Sequence, residues 1–331
     1  MCIKIMEVCG THTTAIFKSG VREKLKGDIK LVSGPGCPVC VTEAEYIDSA
    51  IFYAKKGFSI LTFGDLMKVR GNKGNSLSDI RAEGFDIRVF LSPLDAITLA
   101  KNENEKKFLI LAVGFETTIP VYTLALEEIL KKKITNIKFL FSLKRIAPAI
   151  EFIIKNEKDI SAFIAPGHVA AIIGETPFIE LSEKYEKPFV IAGFQGKMIM
   201  EAISNLIKMY KEKRNFFKND YKKIVSNHGN EKALSLIKKY FTISSTQWRE
   251  IGLIKDSAFI LKKKYAKYQL PILYNIGKNN QSQSKGCLCK GVILGRILPI
   301  DCPLFQNNIC NPENPIGPCM VSSEGACRIF S

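Results

Sequence analysis

Residues 107–131 read KFLILAVGFETTIPVYTLALEEILK. The opening run, Lys107–Val113, is apolar, too short for a typical helix and closed by Gly114, which reads as a buried strand. The continuation, Ile119–Lys131, spaces its apolar residues for one face of a helix. The same unit recurs outward in both directions. Candidate strands lie at Ile3–Val8, Ile29–Ser33, Phe58–Phe63, Asp86–Leu91, Ile137–Ser142, Ser161–Ala165 and Pro188–Ala192, with helical stretches at Glu43–Lys56, Ala147–Asn156 and Met198–Lys213. Short strands alternating with amphipathic helices are βαβ units, and such units build a parallel sheet. Two smaller lobes fit the usual domain size better than one large sheet. The expected fold class is therefore α/β: two Rossmann-like parallel-sheet lobes facing a cleft, residues 1–105 and 106–213, plus a loop-rich C-terminal iron–sulfur domain, residues 214–331.

The loops after these strands repeat a pattern. Ile3–Val8 runs into CGTH, with Cys9 and His12; Ile29–Ser33 into GPGCPVC, with Cys37 and Cys40; Phe58–Phe63 into GDLM, with Asp65. Lys107–Val113 leads to GFETT, with Glu116; Ser161–Ala165 to PGHV, with His168; Pro188–Ala192 to GFQG, with Gln195. A single glycine and polar residue after a strand is ordinary turn chemistry. Six in succession on the carboxyl ends of the strands, where open α/β sheets bind their ligands, point to a site.

Ten cysteines in one chain raise the question of compartment. The start, MCIKIMEVCG, holds no apolar run long enough for a secretory leader, and no stretch approaches the roughly 18 apolar residues of a membrane span. The expected location is cytoplasmic, where clustered thiols serve metals or redox chemistry more often than structural disulfides. Cys37 and Cys40 form a CxxC between strand and helix, a position that favours thiolate and allows a reversible disulfide, soft-metal binding, or each in turn. With Cys9 and His12 they make a plausible soft-metal set for iron or zinc. The tail carries Cys287, Cys289, Cys302, Cys310, Cys319 and Cys327 among five prolines, so it cannot bury much apolar surface and calls for a metal to order it. Its long, irregular spacings argue against paired zinc knuckles and favour a four-thiolate iron–sulfur cluster, with zinc the alternative. The net charge of +16 arises from 48 basic residues of which nine are Arg. Arg is the residue that reads phosphate and base edges bidentately, so no nucleic-acid partner is expected, and with no spanning stretch no membrane partner either.

CGTHTTAI, LVSGPGCPVCVT, FGDLMKV, SPLDA, GFETT, PGHVAAIIG and DCPLF…CNPENPIGPCMVSSEGAC, in this order, resemble the HypD family of hydrogenase maturation factors over essentially the whole chain. The resemblance implies a scaffold with redox activity rather than a conventional turnover enzyme. With the chaperone HypC it would hold Fe(II) while two cyanides and one carbon monoxide are attached. The cyanide comes from HypE, which makes it with HypF, and the Fe(CN)2CO unit then goes to the NiFe-hydrogenase large subunit. Carried over by motif, Cys9, Cys37 and Cys40 are the iron-handling and redox thiols, and His12, Asp65, Glu116 and His168 belong to the cleft. Cys287, Cys302, Cys310 and Cys327 hold a 4Fe-4S cluster, while Cys289 and Cys319 are an electron-relaying pair. A stand-alone thiol–disulfide oxidoreductase and a zinc-stabilised interaction protein are the rival readings. The chain departs from the family at Gln195, where a carboxylate is common, at Arg70 for proline and at Ser142 for histidine. The family also usually has a helix before its first strand, so the start at residue 9 of CGTH is expected to reflect a shortened or misassigned N-terminus.

Overall fold

In the computed structural model, the chain is described at residues 2–25, 27, 29–274 and 286–331. Its strands, in chain order, are β1 (Ile3–Glu7), β2 (Ile29–Ser33), β3 (Phe58–Thr62), β4 (Ile87–Val89), β5 (Lys107–Gly114) and β6 (Ile137–Lys144). They continue with β7 (Ala162–Ala165), β8 (Phe189–Ile191), β9 (Phe217–Asn219), β10 (Phe241–Trp248) and β11 (Gly252–Leu261). They form two sheets. The first has the order β2-β1-β7-β8-β9 and is parallel throughout. The second has the order β10-β11-β6-β5-β3-β4; its β6-β5-β3-β4 part is parallel, and the β10–β11 hairpin joins β6 antiparallel.

The expected α/β class with two parallel-dominated sheets holds, and the reason is legible in β5. From Phe108 to Gly114 every residue is buried, as a strand covered by helices on both faces requires. The expected boundaries do not follow the sheets. The chain lays down β1 and β2, crosses to build β3–β6, returns for β7–β9 and crosses again for β10–β11. The boundary after residue 105 thus falls inside the second sheet, where β3 pairs with β5 through Phe58↔Lys107. The boundary after residue 213 separates β8 from its partner β9 and β6 from β11. One apolar cluster spans the whole arrangement, joining Met6 and Val32 of the first sheet, Ile60, Leu109 and Leu140 of the second, and Cys289, Cys310, Cys319 and Cys327 of the tail.

The tail has more local order than its prolines suggested. Short helical turns at Cys289–Ile293, Pro303–Gln306, Pro318–Val321 and Ala326–Phe330 place Pro303 and Pro318 at the first helical position, where a missing N–H costs nothing. The polar stretch NNQSQSKG, residues 279–286, which reads as a linker, lies outside the described residues up to residue 285. Among the described residues no helix is long and apolar enough to cross a membrane.

Candidate functional site

Cys9 follows β1 at the start of the Gly10–Lys18 helix and is buried. Burial pushes its thiol up to about 11, helix start notwithstanding. Such a sulfur becomes a thiolate only when a cation takes the place of its proton. The loop after β2 meets it directly. A Cβ on Gly36 would lie 2.5 Å from the Cys9 amide nitrogen and 2.7 Å from its Cα, so only glycine lets the two backbones approach this closely. Immediately beyond, Cys37 and Cys40 form a disulfide, both buried, in a turn that the Thr42 hydroxyl braces by donating to the Pro38 carbonyl. The following helix begins only at Ala44, so the pair sits ahead of its N-terminus rather than on it.

His12 is fully buried, and its Nε2 donates to the Ala192 carbonyl beyond β8 at 3.2 Å. That leaves Nδ1 without a partner, and burial holds the imidazole neutral, its pKa down to about 4. The Phe194 ring lies between two imidazoles, 4.5 Å from His12 and 4.1 Å from the exposed His168. On the second sheet, Asp65 follows β3 and accepts from the Ser322 hydroxyl at 2.8 Å. Glu116 follows β5, is buried, and accepts from the Ile146 amide at 3.1 Å; its Oε2 has no partner, and burial pushes the carboxyl up to about 7.

The tail draws these pieces together. Cys40 Sγ lies 3.7 Å from the Pro318 carbonyl, Ser322 holds Asp65, and Glu324 occupies the space beside Gly10, where a Cβ would sit 2.6 Å from its own. Gly10, Cys40 and Asp65 therefore meet residues 318–324, which brings their neighbours Cys9 and Cys37 to the same segment, with His12 and His168 linked through Phe194 on the flank of the first sheet. Glu116 is tied instead to the turn at Arg145 and Ile146.

The tail cysteines are packed sulfur against sulfur. The free thiol of Cys289 lies within hydrogen-bonding reach of those of Cys287, Cys319 and Cys327, and Cys319 is likewise within reach of Cys327. Cys310 stands close enough to feel Cys287 and Cys289. These contacts push Cys287 and Cys319 far up and bring Cys327 down to about 6. Gly317 is pressed into this group, since a Cβ there would lie 2.5 Å from Cys289 Sγ and 2.6 Å from Cys287 Sγ. Cys302 is buried at the start of the Pro303–Gln306 turn, its carbonyl accepting from Phe305 and Gln306. Among the described residues no three His, Cys, Asp or Glu side chains are disposed to hold a single metal ion. A cubane cluster asks for a different arrangement, four thiolates each on its own iron, and an all-sulfur donor set with Cys302, Cys310 and Cys327 buried and Cys287 half-buried fits that chemistry.

Sequence reasoning missed two buried acids beside the thiols. Glu7 ends β1 two residues before Cys9, and Glu43 stands just ahead of the helix that follows the disulfide. Glu43 Oε2 accepts from Lys144 Nζ at 2.8 Å and from the Ser142 hydroxyl at 3.2 Å, all three residues buried. Neither acid sits in a glycine-marked loop, the signal that found the others. Of the family departures, Ser142 thus serves this pair, Arg70 donates to the Gly74 carbonyl at 2.7 Å, and Gln195 is exposed next to Phe194.

A family model for HypD, described as the hydrogenase formation hypA family, matches residues 1–331. A Methanocaldococcus jannaschii protein, described provisionally as a hydrogenase expression/formation protein, is 39% identical over 99% of this chain and 91% of its own. The hydrogenase maturation factor HypD of Cupriavidus necator is 35% identical over 97% of this chain and 87% of its own. The factor of the same name from Escherichia coli is 33% identical over 99% and 88%.

Proposed function

The chain belongs to the HypD family of hydrogenase maturation factors, and from that premise we propose that it works with HypC to hold iron while two cyanides and one carbon monoxide are attached. HypE, supplied by HypF, donates the cyanide, and the Fe(CN)2CO unit passes on toward the NiFe-hydrogenase large subunit. The work takes place in the cytoplasm. The iron is cargo, and its anchors are Cys9, Cys37 and Cys40. Thiolates are soft ligands that suit an iron carrying strong-field cyanide and carbon monoxide. Cys287, Cys302, Cys310 and Cys327 would hold a resident 4Fe-4S cluster, which when bound supplies electrons one at a time.

The observation that carries this reading is the position of the disulfide beneath the tail: Cys40 Sγ lies against the Pro318 carbonyl, one residue from Cys319, whose free thiol is within hydrogen-bonding reach of Cys289 and Cys327. Joined as a disulfide, Cys37 and Cys40 cannot bind iron. Opening it takes two electrons and two protons and yields two thiols. A reduced Cys289/Cys319 pair can provide both by thiol–disulfide exchange, becoming a disulfide itself. The Cys9 thiol, held protonated by burial, gives up its proton as iron arrives. Asp65, half-buried, accepts from Ser322 in the tail segment whose Glu324 packs against Gly10, next to Cys9. Burial of both CxxC sulfurs disfavours the stand-alone oxidoreductase, whose bulky disulfide substrates would need access to them.

Infrared spectra of the protein copurified anaerobically with its HypC test the carrier role. Cyanide and carbon monoxide stretches are expected; a maturation-competent complex lacking both would remove the reading. Iron and labile-sulfide analysis of the same sample should find a cluster, and a colourless, zinc-loaded protein would favour the interaction-protein alternative.

A further inference from the structure

Glu7 ends β1 two residues before Cys9, and its side chain is buried, only 1% exposed. A strand that merely needed to fill this space would carry an apolar residue, as it does at Ile5 and Met6. Burying a carboxyl instead is costly unless hydrogen bonds compensate. Here they do, and they lead to the thiols. Oε2 accepts from the Cys9 amide at 3.1 Å, and Oε1 from the Thr13 hydroxyl at 2.5 Å. Thr13 in turn donates its amide to the Cys9 carbonyl at 3.0 Å, so the carboxyl braces both sides of the turn that carries Cys9. The second thiol loop is held from the same residue. The Glu7 carbonyl accepts from Gly34 at 2.7 Å, and Ser33, its register partner on β2, turns its hydroxyl toward the carboxyl. Gly34 opens the loop that carries Cys37 and Cys40, and Gly36 of that loop lies against the Cys9 backbone.

We propose that Glu7 is a positioning residue of the thiol site, fixing the Cys9 turn and the Cys37–Cys40 loop in one register so that their sulfurs address one iron. The iron part rests on the function proposed above; the bracing does not.

The test measures alkylation of individual cysteines by N-ethylmaleimide in the full-length, anaerobically reduced protein, read by peptide mass mapping. Glu7→Ala frees the turn and should raise the rate at Cys9 by about tenfold, while Cys302, buried in the tail, changes by less than about twofold. Glu7→Gln keeps an oxygen for the Cys9 amide and should stay within about threefold of the parent. A folded Glu7→Ala with an unchanged Cys9 rate overturns the proposal. So does a parallel rise at Cys9 and Cys302, which general loosening would give. If Glu7→Ala does not fold, Thr13→Val removes one arm of the brace: a rise of about threefold confined to Cys9 is expected, and none would overturn it. Ferrous iron titrated into the same variants separates the two claims. Lost iron affinity together with exposed Cys9 supports both, whereas exposed Cys9 with unchanged iron uptake keeps the brace and removes Cys9 from the iron site.

Discussion

Glu116 enters the interior at the end of β5, and only one of its oxygens finds a donor, the Ile146 amide at the start of a helix. Burial therefore favours the protonated acid, raising its pKa from 4.5 to about 7. In the unfolded chain the group ionises near its ordinary value, so stability falls as pH rises from about 4.5 to 7 and is flat above, a loss on the order of 3 kcal/mol. Glu116→Gln should remove that slope: relative to the parent, the variant gains about 2–3 kcal/mol between pH 5 and pH 8. Urea midpoints at the two pH values decide it, and an equal parent–variant difference at both would sink the idea. The Glu43–Lys144 pair is a contrasting case, since both partners are buried and ionic. Lys144→Met leaves a carboxylate without its cation and should cost about 3–5 kcal/mol in chemical denaturation, whereas Glu43→Leu with Lys144→Met should recover most of it. Glu116 was legible in the sequence from its glycine-marked loop, but Glu43 was not. Glu43 looks like an ordinary helix-start residue, and only the fold shows Lys144, a hundred residues later, coming to rest on it.

Among the short elements, the tail turns depend on one residue with no side chain. A methyl group at Gly317 would collide with the sulfurs of Cys289 and Cys287. Gly317→Ala should therefore lower iron and labile sulfide in the anaerobically purified protein by more than about half, with little change in helix content by circular dichroism. Ser76→Ala is the matched control. Ser76 and Asp79 form a reciprocal capping box on the Leu77–Ala82 helix, so its loss should cost about 1 kcal/mol of stability and leave cluster content alone. Equal cluster loss in both variants would mean that general destabilisation, not the sulfur contact, empties the tail. Elements of this size were readable where pattern is local: β2 and the Ile119–Lys131 helix match their expected spans, and the motif glycines marked the strand ends carrying Cys9, Cys37 and Asp65. The three-residue β9 was not, because three residues carry no period. The packing of Cys289 and Cys319 against the other tail thiols was equally invisible, since spacing along the chain does not specify which sulfurs meet.

At the scale of the molecule, chain order and sheet membership diverge. The first sheet takes strands from residues 3–33 and 162–219, the second from 58–144 and 241–261. Local patterns reveal each strand but not its neighbours, which is why a division into consecutive halves looked reasonable and the sheets ignore it. A fragment of residues 1–105 holds β1–β4 without β5 or β7, the strands that join them to the rest of their sheets. It should be unfolded, with random-coil far-ultraviolet circular dichroism and poorly dispersed amide resonances; a cooperative melt would count against the interleaved topology. The contacts of residues 318–324 with Cys40, Asp65 and Gly10 add a matter of timing. A ribosome adds about 5–20 residues each second, so both sheets are synthesised seconds before the segment that closes over their thiols. Until then Cys9, Cys37 and Cys40 face the cell uncovered. A nascent chain thus exposes these thiols to stray oxidants for a brief interval, and finishing translation is what shuts them away.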